Sequence, residues 1–277
     1  MSLGLVLGGG GVAGIAWELG VILGLADAGV SVLDADRVVG TSAGSVVGAQ
    51  VTSGVPIEEL FEAQLAATTA ERSVDFDVDK LVEMLATLQA ESLDPTEALR
   101  RIGTAALAAK TVTEAERMSI IEARLPSREW PDRDLVITGV HAMTGEFCTW
   151  TRDSGVPLAD AVAASCAVPG VWPPATVGGR RYIDGGIASP TNATLARGCS
   201  EVLVIAPMVD STVGPGLEAE LAELGVAARS AVVVPDEASQ VAFGTNPLDP
   251  ATRIPAAKAG RAQGRVEAFR VGIGLSL

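Results

Sequence analysis

One histidine, His141, and three scattered cysteines, Cys148, Cys166 and Cys199, are all the imidazole and thiol in this 277-residue sequence. No C-x-x-C or mixed Cys/His spacing occurs, which argues against a zinc centre and against a disulfide framework, so no metal is expected. Reduced thiols in a cytoplasmic setting are the expectation. Positive charge is scarce too: 20 Lys and Arg against 34 Asp and Glu give a net charge of -14. Such a field repels phosphate polymers, so nucleic acid is excluded as a partner, and strong adsorption to an anionic bilayer is disfavoured. Peripheral contact of a local apolar rim with a neutral or micellar lipid surface stays open. The apolar stretch from Leu3 to Val32 lacks a basic leader and is broken by Gly8 to Gly11, Glu18 and Asp27. It reads as neither a signal peptide nor a membrane span.

What is present is a core-former's composition, 48% hydrophobic and 19% charged. At about 150 residues per domain the length suggests two, but α/β chains often run this long as one. The expectation is a single domain over 1–277 with a helical insertion at about 57–130. Leu3 to Leu7 reads as a strand, Gly8 to Gly11 as a glycine loop, and Val12 to Ala28 as a buried helix. Arg37 to Val39 repeats the pattern, with a tight turn and a helix from Ser45 to Thr52. From Ile57 to Arg124 the spacing is helical, with starts at Asp94-Pro95 and at the capping box Thr113 to Glu116. Asp134 to Val140 predicts a strand, Leu158 to Cys166 a helix, and Ala175 to Asp184 a hairpin around Gly178-Gly179. Strands at Glu201 to Ala206 and Ala231 to Pro235 and helices at Leu217 to Ser230 and Ala251 to Phe269 complete a layered α/β reading.

Three segments carry candidate chemistry. Gly40-Thr41-Ser42-Ala43-Gly44 is G-x-S-x-G at a strand-to-helix junction, where flanking glycines permit the sharp turn that exposes a serine hydroxyl. The plainer reading is a glycine turn with a structural serine. A nucleophilic serine needs a base. His141 sits at a strand end and reads as a sheet-end histidine, so a carboxylate is considered, and Asp184 in Asp184-Gly185-Gly186 is the best placed. Alone, that motif is equally an ordinary Asp-Gly turn. Gly9-Gly10-Gly11-Val12-Ala13-Gly14 has the form G-x-G-x-x-G. It suits a dinucleotide loop, although Asp34 and Asp36 precede the second strand instead of ending it, or an oxyanion loop whose amides serve Ser42.

Together these segments resemble the patatin-like phospholipase family in order and context, with Ala164 to Pro174 similar to the proline-containing stretch before the family's aspartate hairpin. The resemblance runs from Leu3 to about Gly264. It implies a three-layer α/β/α fold with a central, mainly parallel sheet, and a serine acyl hydrolase of lipid or phospholipid esters. It also implies a Ser42–Asp184 dyad, an acyl-enzyme, oxyanion donors at Gly9, Gly10 and Gly11, and no cofactor. Family members often carry Arg or Lys where this chain has Ala13, which motivates the alternative of a catalytically weak lipid-binding or regulatory protein. Val168, Val171 and Trp172 read as core or acyl-pocket residues, and Arg253, Lys258, Arg261 and Arg265 as a solvated face or a headgroup patch. Oligomeric state and acyl-chain length are not encoded legibly.

Overall fold

The computed structural model describes residues 2–67, 71, 93–211, 213–225 and 229–275. Its strands are β1 (Leu3–Leu7), β2 (Arg37–Gly40), β3 (Asp134–His141), β4 (Phe147–Trp150), β5 (Ala175–Val177), β6 (Arg180–Asp184), β7 (Glu201–Ile205) and β8 (Arg229–Val233). The α-helices are α1 (Gly11–Asp27), α2 (Ala43–Val51), α3 (Ile57–Leu65), α4 (Pro95–Ala108), α5 (Glu114–Arg124), α6 (Leu158–Ser165), α7 (Leu217–Leu224), α8 (Glu237–Phe243) and α9 (Arg253–Leu275).

These strands form one mixed sheet in the order β5-β6-β3-β2-β1-β7-β8, with β4 also on β3. The central run β3-β2-β1-β7-β8 is parallel, and β4 and β6 are antiparallel to β3. Every residue of β1 and β7 is buried, as expected for parallel strands covered on both faces. Side chains alternate between the layers: Leu5, Leu7, Leu203 and Ile205 join α1, α2, α6 and α9. Val6, Val202 and Val204 meet α7 and the turn Ala193–Ala196 on the other face. The fold is thus three-layered α/β/α.

Helix α1 is buried on nearly all sides, with Glu18 as the one acid among its buried residues, and lies inside the first layer against α9. Their contact is backbone to backbone: a Cβ on Gly20 would stand 2.3 Å from the Ala257 carbonyl oxygen, and one on Gly264 2.3 Å from that of Val21. Only glycine lets two helices approach so closely. Between α2 and β3 the described residues contain helices only, and the rest of the expected insertion, residues 68–70 and 72–92, lies outside them. Asp94 caps α4 by accepting from Thr96 N–H at 2.9 Å, and the Thr113–Glu116 capping box starts α5. Gly178 and Gly179, with φ of 56° and 77°, make the two-residue turn between β5 and β6.

The helix expected from Leu217 to Ser230 is shorter. It ends at Leu224, where Gly225 takes φ 78°, and Arg229 and Ser230 pair with β7 as the start of β8. Strand β4 and helix α8 were not anticipated. The first is a short hairpin return on β3, and the second starts at Asp236, whose carboxylate accepts from Ser239 N–H at 2.8 Å.

Candidate active site

The register of β3 explains how two distant motifs meet. Ile137 pairs with Trp150 of β4 on one edge and with Gly40 of β2 on the other. Val140 pairs with Phe147 of β4 and with Ile183 of β6, so β2 and β6 share the edge of β3 opposite β4. Gly40 ends β2 opposite Ile137, and Asp184 ends β6 opposite Gly139. The antiparallel β6 therefore delivers its last residue to the point where β2 turns into α2.

That turn is tight. Ser42 has φ 52° and ψ -113°, a conformation that side chains rarely adopt, and is held there from both sides. Its N–H donates to Ser165 Oγ at 2.9 Å, and its carbonyl accepts from Ser45 Oγ at 2.6 Å and Cys166 Sγ at 3.2 Å. Gly44 lies directly on β1: its N–H donates to the Gly8 carbonyl at 2.9 Å, and an added Cβ would stand 2.0 Å from the Leu7 oxygen. Gly40 has a similar role, since its Cβ would fall 2.6 Å from the Gly44 oxygen. Behind the turn, Thr41 Oγ1 accepts from Thr138 Oγ1 at 3.1 Å and from Asn192 Nδ2 at 3.0 Å.

Ser42 Oγ donates to Asp184 Oδ2 at 2.6 Å. The other carboxylate oxygen accepts from Gly186 N–H at 2.7 Å, and the Asp184 N–H donates to the Ala167 carbonyl at 3.0 Å. Gly185 packs on Thr138, where a Cβ would meet the hydroxyl at 2.3 Å. Asp184 is only 3% exposed. Burial pushes its pKa up to about 7, against the opposing pull of the hydrogen bonds from Ser42 and Gly186 and the charge of Arg117.

The glycine loop runs alongside. A Cβ on Gly9 would lie 3.6 Å from Ser42 Cβ, so this glycine keeps space beside the hydroxyl. Its own N–H is already committed to the Pro190 carbonyl at 2.8 Å. The amides of Gly10, Gly11 and Ala43 meet no acceptor among the described residues. Gly11 and Ala43 line, with Ser42, Arg117, Cys166 and Trp172, a cavity of about 20 Å³, room for little more than a water molecule. Val168 lines it as well, whereas Val171 is buried beside Ile120. A larger cavity of about 390 Å³ shares Val12, Ile15 and Arg124 with it as walls.

His141 is elsewhere. Its Nδ1 is engaged by the Thr144 hydroxyl at 2.9 Å and its ring meets Tyr182 edge-on. Of the four basic residues expected on this helix as a solvated face or a headgroup patch, Arg261 and Arg265 both pair with Asp27 at 2.7 Å, Lys258 is exposed, and Arg253 is buried against the larger cavity. Ala13 is fully buried, its N–H donating to the Pro247 carbonyl at 2.9 Å. Sequence reasoning missed Pro190, Asn192 and Arg117, and it placed Ser165 and Cys166 in the Ala164 to Pro174 stretch without foreseeing their contacts to Ser42. Only Asn192, in Ser189-Pro190-Thr191-Asn192, carried a signal, because asparagine tolerates the left-handed φ of 52° found there.

The family model for patatin-like phospholipase matches residues 5–197, which include the loop, the serine turn and the aspartate. The chain belongs to the patatin-like phospholipase family. No curated protein sequence matches it. Among solved structures, VipD from Legionella pneumophila is similar at 13% identity and a TM-score of 0.46, over 98% of this chain and 67% of that one. The type III effector protein ExoU is similar at 14% identity and a TM-score of 0.44, over 97% of this chain. The patatin-like chain spans 53% of the ExoU chain, about half its length. Among the described residues no helix is long and apolar enough to cross a membrane.

Proposed function

We propose that the chain hydrolyses carboxylic esters of lipids, with Ser42 as nucleophile and Asp184 as its base. The observation that carries this reading is the 2.6 Å hydrogen bond from Ser42 Oγ to a buried carboxylate. A carboxyl titrating near pH 7 is a competent base at neutral pH, where an ordinary aspartate is too weak.

In the first step Asp184 takes the Ser42 proton while Oγ bonds to the ester carbonyl carbon. Negative charge then moves to the carbonyl oxygen, and the free amides of Gly10, Gly11 and Ala43 are the donors assigned to it. Gly9, whose amide is occupied, contributes room instead of a hydrogen bond. Collapse breaks the bond to the leaving alkoxide, which receives the proton from Asp184. Water, deprotonated by Asp184, attacks the acyl-enzyme, releases the fatty acid and returns the proton to Ser42. No metal or cofactor is required by these steps. The apolar wall of the larger cavity, including Leu60, Ile120, Leu125 and Pro126, suits the acyl chain. With a net charge of -14, the enzyme acts on monomeric or uncharged lipid surfaces from a cytoplasmic setting.

Hydrolysis of p-nitrophenyl esters from acetate to palmitate tests the reading. Activity is expected in the wild type, unaffected by a chelator and absent from Ser42→Ala. Equal activity in folded wild type and Ser42→Ala overturns it.

A further inference from the structure

Arg117 lines the Ser42 cavity and is given no role by the steps above. It projects from α5, is 4% exposed, and its guanidinium carbon lies 3.8 Å from the centroid of the Trp172 ring. One of its nitrogens, Nη2, donates to the Cys166 carbonyl at 3.4 Å. The other two, Nε and Nη1, are buried with no hydrogen-bond partner among the described residues. Three N–H bonds of a cation are thus unmet.

The charges of Glu71 and Asp184 act on it through space, but neither carboxylate bonds to its Nε or Nη1. Glu71, a nearby carboxylate, is held by Arg124 at 2.6 Å, and Asp184 is turned to Ser42 and Gly186. Burial lowers the pKa of Arg117 to about 9, which still leaves it charged at neutral pH. Stacking on Trp172 compensates only in part. A buried cation with free donors is costly to keep, and this one sits in a wall shared with the nucleophile, in a chain whose overall charge is -14. An oxyanion on the ligand would supply what the fold leaves out, and because the cavity holds about 20 Å³, its entry requires the lining side chains Trp172 and Leu248 to give way. A guanidinium is the group suited to it, since charge-assisted bonds to phosphate oxygens are among the strongest available.

We propose that Arg117 recognises an oxyanion carried by the substrate, the phosphodiester of a glycerophospholipid, beside the ester that Ser42 attacks. The inference rests on the acyl-hydrolase reading of Ser42. It makes the chain selective for phosphate-bearing esters over neutral glycerides with the same acyl chains.

The test compares dihexanoylphosphatidylcholine with dihexanoylglycerol, both below their aggregation limits, in wild type, Arg117→Met and Arg117→Lys. The expected result is a wild-type preference for the phosphodiester in kcat/KM that falls at least tenfold in Arg117→Met, mainly through KM, and is partly restored in Arg117→Lys. An Arg117 that only supports Asp184 lowers both substrates equally, and an unchanged preference overturns the proposal. Calorimetric titration of Ser42→Ala and of Ser42→Ala/Arg117→Met with the same two lipids separates this from failure of the hydrolase reading. Tighter binding of the phosphodiester that disappears with Arg117 supports recognition even if no ester is cleaved. Sodium hexanoate is titrated alongside: if it alone loses affinity with Arg117, the site holds the fatty-acid product and the phosphodiester assignment fails. If Arg117→Met does not fold, Arg117→Lys carries the comparison, and a preference equal to wild type in that variant together with equal binding of both lipids to Ser42→Ala overturns it.

Discussion

Gly40 and Asp184 lie on the same edge of β3, opposite Ile137 and Gly139, so the serine turn and the carboxylate meet because two strands share one partner. The hydrogen bond between Ser42 and Asp184 follows from this register. The pKa of Asp184 follows from the burial that the register imposes.

The pH dependence of hydrolysis comes directly from that burial. Asp184 accepts a proton only when ionised, so kcat/KM is expected to fall about tenfold per pH unit below an apparent pKa near 7. A pH–rate profile of the wild type checks it, and an acidic limb near pH 4 would mean that the carboxyl is not held as described.

Stability moves the opposite way. In the unfolded chain an aspartate titrates near ~3.9, and in the fold Asp184 titrates at about 7. Its contribution to stability is therefore complete below the unfolded value and is lost as pH rises through the folded one. Asp184→Asn removes this penalty. It should melt at the wild-type temperature near pH 4 and several degrees higher at pH 8, a difference on the order of 4 kcal/mol. Melting curves across this range give the answer.

Glu18 predicts a similar effect away from the site. It is fully buried on α1, neither carboxyl oxygen meets a donor in good hydrogen-bond geometry among the described residues, and burial raises its pKa well above the usual value against a weaker opposing pull from the Gly8 backbone. Glu18→Gln should unfold at higher denaturant concentration than wild type at pH 7 to 8. The gain should shrink toward pH 4, where the carboxyl is neutral in the unfolded chain as well.

Gly44→Ala places a methyl group 2.0 Å from the Leu7 oxygen, on backbone that cannot move without opening β1. Destabilisation on the order of 3 kcal/mol or more, with loss of activity, is expected. Gly29→Ala is the control, because nothing lies within 4 Å of its Cβ and only its φ of 87° resists the change. Denaturant midpoints of the two variants should differ by more than either error.

What the sequence made legible were features written in local chemistry. The glycines around Ser42, the Asp184-Gly185-Gly186 turn, the cap at Asp94 and the box at Thr113 each require particular residues within five positions, and each stands where its pattern put it. Less legible were contacts decided by tertiary packing. Nothing near Gly9 announces that its amide is taken by Pro190, since the acceptor arrives from the loop after β6. Arg117 reads as one more charged residue on an amphipathic helix until α5 is packed against Trp172. The Ala- and Glu-rich run after Leu217 looks helical through Ser230, yet pairing with β7 claims Arg229 and Ser230 for a strand.

The central claim is that Asp184 activates Ser42, and labelling by a fluorophosphonate probe measures it most directly. Intact mass and peptide mapping should find one adduct, on Ser42, in the wild type. Ser42→Ala should take none, and Asp184→Asn should react at least a hundredfold more slowly while remaining folded. Labelling of Asp184→Asn at the wild-type rate, or an adduct on another serine, would contradict the account.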